Sequence, residues 1–224
     1  FEKSDILCCA ASSDKKELFL SGEGFLSRYD LKTLKLLIQT CPARPITFIA
    51  SPVTEVLCGL SSSHPPTILF LNPITFEQSH RPLVLSHAPF VYFLKFSPMT
   101  SSLLFSSDHQ AFTSYDLVKK SSSTVAFVEA PVTTIDVDTS SSCYVGSYPT
   151  QLTKLDLKTL KKVWSISLTE PITALFCNSI KFVWAGGKQG SIFMLQATGK
   201  LSLCQHNFAD GPIVTIDENK PKKV

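Results

Sequence analysis

Residues Tyr29–Leu34 read YDLKTL and residues Leu155–Leu160 read LDLKTL. The five identical letters DLKTL stand 126 residues apart, and the position of the aspartate is filled between and beyond them by Asn72 in LNPIT, Asp116 in YDLVK and Gln196 in LQATG. A second landmark travels with the first, a proline followed by β-branched or aromatic residues. It occurs as PITFIA from Pro45, PFVYFLKF from Pro89, PVTTIDV from Pro131, PITALF from Pro171 and PIVTID from Pro212, at intervals of 44, 42, 40 and 41 residues. The first unit lacks the proline and starts in register at Asp5, in DILCCA. Counted from Asp5, Pro45, Pro89, Pro131 and Pro171, the aspartate position falls 25, 27, 27, 25 and 25 residues on. Two landmarks that keep step through five units define a repeat of about 42 residues, and 126 is three such periods.

Each unit holds four short runs of strand type bounded by Ser, Pro, Gly or Asn. The fourth unit has VTTIDV, SCYVGS, LTKLDL and KKVWSISL, and the fifth ITALFC, KFVWAGG, SIFMLQ and KLSLCQ. β-Branched and aromatic residues between turn formers predict strands, and no segment carries a helical apolar stripe over three turns. Four strands per 42 residues is the period of a β-propeller blade. The proline suits the first residue of a strand, where no ladder N–H is lost. The expected fold is therefore all-β: a single propeller domain over residues 1–217, with blades at 5–44, 45–88, 89–130, 131–170 and 171–211. The stretch 212–217 starts a sixth blade, and 218–224 forms a basic tail. Further sequence or a second chain is expected to complete a ring of about seven. The alternative is a self-closed ring of five with one surplus strand.

The units resemble WD-repeat propellers. Tyr29-Asp30 and Tyr115-Asp116 stand where that family has Trp-Asp at the end of the third strand, and Lys95–Pro98 (KFSP) is similar to its first-strand ending. Ser86-His87 takes the place of its Gly-His pair, 29 residues before Asp116. The resemblance implies that His87, Asp108 and Tyr115 form the structural network that ties a loop to the blade. The other units depart from it: they lack the Gly-His pair, and GLSSSHPPT and VGSYPTQ lack or replace the turn aspartate. The fourth and fifth units also resemble quinoprotein-type repeats, through CYVGS, LDLKTLKKVWSISL and GSIFMLQATGKL. That likeness implies either a cofactor-binding channel or a bare scaffold. Trp164 alone matches its docking tryptophan, and no calcium-binding carboxylate set accompanies it, so no cofactor is expected.

Composition narrows the function classes. Apolar residues make up 44% of the 224 and charged residues 17%, the balance of a chain with a core. The net charge is +3 and the arginines are three, Arg28, Arg44 and Arg81. Outside the terminal KPKKV there is no basic cluster of the kind that binds nucleic acid. No apolar run approaches the roughly 18–20 residues that span a bilayer. The chain opens at Phe1 without Met and without a signal peptide, as part of a longer protein would. The seven cysteines, Cys8, Cys9, Cys41, Cys58, Cys143, Cys177 and Cys204, follow no metal-ligand spacing and sit mainly in apolar runs. They are read as buried reduced thiols, which places the protein inside the cell, in cytoplasm or nucleus.

No catalytic constellation is visible. The histidines, His64, His80, His87, His109 and His206, lie mostly in Ser/Pro/Gln-rich turns without H-x-x-x-H or H-E-x-x-H spacing. Asp136 and Asp138 alternate along one strand and read as polar lining of a central channel. Gly186-Gly187 is a hairpin turn, since no phosphate-loop motif or helix follows. The serine runs lack a nucleophile elbow and read as loop tips, open to phosphorylation. What remains is surface. The loops entering the inner strands carry Arg44, His87, Glu129, Glu170 and Asp210, a charged and varied set expected to form a protein-docking face. Tyr92, Phe112 and Tyr148 break the alternation; they are candidate anchors, although such aromatics more often pack between blades. The expected function is a non-catalytic scaffold docking other proteins in a multi-subunit complex. The alternative is a quinoprotein-type propeller that binds a cofactor or acts as an enzyme.

Overall fold

The computed structural model describes residues 5–12, 16–50, 57–61, 65–85, 91, 93–97, 99–105, 111–126, 131–177, 181–214 and 216. Among the described residues, twenty strands form five antiparallel sheets of four, each in sequential strand order. The first sheet is β1 (Ile6–Ala11), β2 (Glu17–Gly22), β3 (Phe25–Asp30) and β4 (Leu36–Thr40). The second is β5 (Ile46–Ala50), β6 (Leu57–Ser61), β7 (Thr67–Leu71) and β8 (Gln78–Val84). The third is β9 (Leu94–Ser97), β10 (Ser102–Phe105), β11 (Ala111–Asp116) and β12 (Ser121–Ala126). The fourth is β13 (Val132–Val137), β14 (Ser142–Ser147), β15 (Gln151–Asp156) and β16 (Lys161–Ser167). The fifth is β17 (Ile172–Phe176), β18 (Phe182–Gly187), β19 (Ile192–Gln196) and β20 (Leu201–Gln205). The chain divides into two compact units, Phe1–Asp108 and His109–Val224.

The DLKTL landmark is a turn device. Asp30 Oδ1 accepts the backbone N–H and the hydroxyl of Thr33, each at 2.7 Å. Asn72 Oδ1 takes the N–H groups of Ile74 and Thr75 at 2.8 and 3.2 Å. Asp116 does the same for Val118 and Lys119 (2.9 and 2.9 Å), and Asp156 for Lys158 and Thr159 (2.8 and 2.8 Å). Four residues after each stands a residue of positive φ: Leu34 (54°), Phe76 (60°), Lys120 (53°) and Leu160 (56°). An Asx side chain that satisfies two amides of the turn offsets the left-handed residue that closes it. The fifth sheet uses a shorter turn, with Gln196 accepting at its carbonyl from Gly199 N at 2.8 Å and Gly199 at φ 89°. There glycine itself supplies the left-handed step.

These bonds have a titration signature. Thr33's hydroxyl and amide hold the Asp30 carboxyl below its ordinary value, the Lys119 amide does so for Asp116, and the Thr159 amide for Asp156. A carboxylate lowered by folding contributes stability that is complete above its unfolded value of about 4 and is lost as pH falls through the lowered one. Carboxyl NMR titration is expected to give all three midpoints below about 3.9, with the Thr33, Lys119 and Thr159 amides shifting in step. Midpoints at or above that value would contradict the turn assignment.

The proline landmark is equally physical. Pro45, Pro131 and Pro171 immediately precede β5, β13 and β17, and each of these strands is bulged one residue in, between Ile46/Phe48, Val132/Thr134 and Ile172/Ala174. A bulge re-aims the extra side chain. Thr133 Oγ1 donates to the carbonyl of Ile172 in the following sheet at 2.8 Å, and Thr173 Oγ1 donates to the carbonyl of Ile213 at 2.7 Å. In the N-terminal unit Ser21 Oγ reaches the carbonyl of Ile46 at 2.7 Å. Inner strands thus stack: β5 packs on β1 and β2 in the N-terminal unit, and β17 on β13 and β14 in the C-terminal unit. Ile213 sits against the fifth sheet as Ile172 sits against the fourth, with its N–H on the Gly187 carbonyl at 3.1 Å. A side chain at Gly186 would collide with it. The segment at Pro212 therefore occupies the inner-strand place without a ladder partner among the described residues. In the third sheet Pro89 lies outside the described residues, and the inner strand begins at Leu94.

Each unit has its own core. Phe19, Leu26, Ile46, Ile49, Leu71 and Phe76 cluster in the first, and Tyr144, Leu152, Ile172, Val183, Ala185, Phe193 and Leu195 in the second. Two expectations are corrected here. Asp136 and Asp138 do not line an open channel; both are buried. Asp136 Oδ2 accepts the Cys177 N–H of the next sheet at 2.7 Å, and Asp138 lies past the end of β13, where it closes the β13–β14 turn. The cysteines are also less buried than their apolar surroundings suggest. Cys143 is buried, Cys8, Cys177 and Cys204 are half-buried, and Cys9 and Cys41 are exposed. An apolar run makes a strand, but burial needs a covering layer, and β1 keeps Ile6 61% exposed where Ile172 of β17 is fully buried.

Candidate interaction surface

The connections into the inner strands share one end of each sheet with the turns between second and third strands. In the fifth sheet, Lys188 N–H bonds the Pro171 carbonyl at 2.8 Å and Ala209 N–H the Gly190 carbonyl at 3.2 Å. In the fourth sheet, Tyr148 N–H bonds the Pro131 carbonyl at 2.8 Å, and Leu168 N–H the Thr150 carbonyl at 2.9 Å. The loops are therefore tied to one another by backbone bonds, which gives a rigid presenting edge in the C-terminal unit.

The five expected docking residues fare differently in the structure. Arg44, in the β4–β5 connection, and Asp210, before Pro212, are exposed. His87 and Glu129 lie outside the described residues, as do Asp108, His64, His109, Tyr92 and the tail 218–224. The network expected of His87 and Asp108 with Tyr115 thus falls outside them too. Glu170 is not a surface residue. It is 2% exposed, and its carboxylate turns under the β18–β19 turn to accept the backbone N–H of Gln189. The space it fills is left by Gly187, where any side chain would run into that carboxyl group. A buried carboxylate needs such a donor. Glu170 holds the edge in shape and does not face a partner.

The same edge carries side chains that reading the crossover loops alone misses. Tyr148 (58% exposed), Lys188, Gln189 and Phe208 (57% exposed) stand out from the β14–β15 turn, the β18–β19 turn and the loop after β20. Tyr148 was legible as an aromatic out of alternation. Lys188 was legible only once the second-to-third strand turns were known to share the edge, whereas Phe208 lies in the same entry loop as Asp210. In the N-terminal unit, Glu23 in the β2–β3 turn is exposed alongside Arg44 at the corresponding repeat positions.

Trp164, the match to a docking tryptophan, has a structural task. Its Nε1 donates to the Ala197 carbonyl in the turn of the fifth sheet at 2.9 Å, and Lys154 Nζ donates to the same oxygen at 3.2 Å. The Tyr144 ring lies 5.9 Å from the indole. Among the described residues no group of three or more His, Cys, Asp or Glu side chains is placed to hold a metal ion, and no helix is long and apolar enough to cross a membrane.

No protein-family model matches the chain, and no curated protein matches it by sequence. Solved structures do match its fold. U3-55K superposes with a TM-score of 0.78 at 12% identity, over 93% of this chain and 66% of that one. The RRP9 WD40 repeats give 0.79 at 13%, over 93% and 65%. A chain of the mitotic checkpoint complex gives 0.80 at 14%, over 96% and 68%. This chain spans about two-thirds of the length of each and has the WD-repeat-like β-propeller fold.

Proposed function

We propose that the chain is a non-catalytic interaction scaffold, a WD-repeat-like propeller that docks other proteins within a larger assembly inside the cell. The observation that carries this reading is the edge in the C-terminal unit, where exposed Tyr148, Lys188, Phe208 and Asp210 stand on turns held by backbone bonds and by buried Glu170. Aromatic and charged side chains on a rigid edge lose little freedom on binding, which is how interface anchors act. One of the solved neighbours of this fold comes from a multi-protein complex, the mitotic checkpoint complex. We take residues 1–217 as one propeller domain and 218–224 as a tail. A ring of about seven blades is completed by further sequence or another chain, and a neighbouring blade covers exposed Ile6 and Leu7 of β1.

The test begins with pull-down from native extract and identification of bound proteins by mass spectrometry. Alanine at Tyr148, Phe208 and Asp210 is then expected to weaken binding of that partner at least about tenfold for one or more of them, roughly 1.4 kcal/mol, with melting unchanged. Glu170→Ala is expected to lower the melting temperature before it touches affinity. If all three surface variants bind as the parent does while remaining folded, this edge is not the docking site.

A further inference from the structure

Cys204 on β20 and His206 just after it are two residues apart on an extended chain, so their side chains share one face. Cys204 pairs across the ladder with Phe193 of β19, whose ring is buried. The His206 ring stands edge-on to Phe193 at 6.3 Å and 86°. Its Nε2 lies 3.3 Å from Cys204 Sγ, and its Nδ1 lies 3.1 Å from the hydroxyl of Ser191, a residue 2% exposed. Ser191 is itself fixed, since its carbonyl accepts the Gly187 N–H at 2.9 Å. With the proton on Nδ1, His206 donates to Ser191 Oγ and turns the Nε2 lone pair to the thiol. A nucleophile, a base in reach and a third group that orients the base make up the general pattern of an activated nucleophile.

We infer that Cys204 is a reactive thiol, a modification site for disulfides and soft electrophiles, with His206 as its base and Ser191 as the group that orients His206. With glutathione disulfide, the Cys204 S–H proton passes to Nε2 and the sulfur attacks one sulfur of the disulfide. The S–S bond breaks and a Cys204–glutathione disulfide forms. The departing glutathione thiolate takes the proton back from the imidazolium, so His206 returns to its starting form. With iodoacetamide the sulfur displaces iodide, and the proton is released to buffer through His206.

The other described thiols differ from Cys204 in exposure or in what holds the sulfur. Cys143 is fully buried, and the Cys8 sulfur accepts the Ile49 N–H at 3.2 Å while burial pushes its thiol up from the ordinary value. Cys9 and Cys41 are exposed and serve as internal references.

The experiment treats the folded chain with glutathione disulfide, and separately with iodoacetamide, at pH 7 and follows each cysteine by peptide mass spectrometry. Cys204 is expected to react several-fold faster than Cys9 and Cys41 although it is less exposed. His206→Gln is expected to slow Cys204 roughly tenfold and leave Cys9 and Cys41 unchanged. Ser191→Ala, which keeps the imidazole, is expected to slow Cys204 by a smaller factor. A Cys204 rate in the parent chain at or below that of Cys41 overturns the inference whatever the variants do. So does an undiminished rate in folded His206→Gln.

Discussion

Asp138→Ala is expected to lower the unfolding transition of the protein by roughly 10 °C, corresponding to a loss of about 3 kcal/mol or more. Asp138 is 2% exposed and its Oδ1 accepts three bonds, from Ser140 N at 2.7 Å, Ser140 Oγ at 2.8 Å and Ser142 N at 2.9 Å. Its other oxygen faces the Tyr144 hydroxyl at 3.4 Å. Burial, and next the Asp138 charge, push the Tyr144 phenol well above its ordinary value, so it stays protonated and able to donate. Alanine removes the acceptor and strands the buried Ser142 amide and Tyr144 hydroxyl, which costs more than the bonds are worth in the balance of folding, while the donors of exposed Ser140 turn to water. The turn also holds Ser141 at φ 72°, a conformation that a serine keeps only under constraint. Asp138→Asn keeps one acceptor oxygen and is expected to recover more than half of the loss. Differential scanning calorimetry on the two variants decides: a shift under about 2 °C for alanine would show that water or a relaxed turn replaces the carboxylate.

The second large effect is expected at Trp164. Truncation to alanine removes an indole that packs on Tyr144, closes over Gly199 and donates to Ala197. The expected cost is about 3 kcal/mol, the lower end for tryptophan because the ring is only half-buried. Trp164→Phe separates the contributions: it keeps a ring in place and loses the N–H, at about 1 kcal/mol. Chemical denaturation of both variants, with the midpoint and the slope read together, tests this. Equal losses for Phe and Ala would mean that the hydrogen bond, and not the packing, joins the fourth sheet to the fifth.

What could be read from the chain alone was whatever is decided within a few residues. Asp30 and its counterparts act on amides two and three positions away, so spacing and residue type suffice to find them. The prolines before β5, β13 and β17 act on their own strand starts, and their spacing carries the period. The bulge one residue further in was not legible, because the hydroxyl of Thr133 or Thr173 finds its acceptor about 40 residues on. Glu170 shows the same limit from the other side. A glutamate in a loop reads as solvent-facing, and only Gly187 and the Gln189 amide make room for it underneath the turn. The pair Gly186-Gly187 was the available signal, read as a hairpin and not as two vacated positions for Ile213 and Glu170. The inner carboxylates fail as channel lining for a like reason: the Cys177 amide that satisfies Asp136 comes from the following sheet.

The turn built on Asp30, Asn72, Asp116 and Asp156 bears on how such a chain can drift. Its closure depends on one acceptor and one left-handed position, which leaves the two exposed letters at the tip free to vary: Lys-Thr, Ile-Thr and Val-Lys all serve. Mutation at those tips is therefore nearly neutral for folding, and identity to other proteins of the same architecture can fall to 12–14% while the architecture survives. Rim chemistry can be rewritten one hairpin at a time.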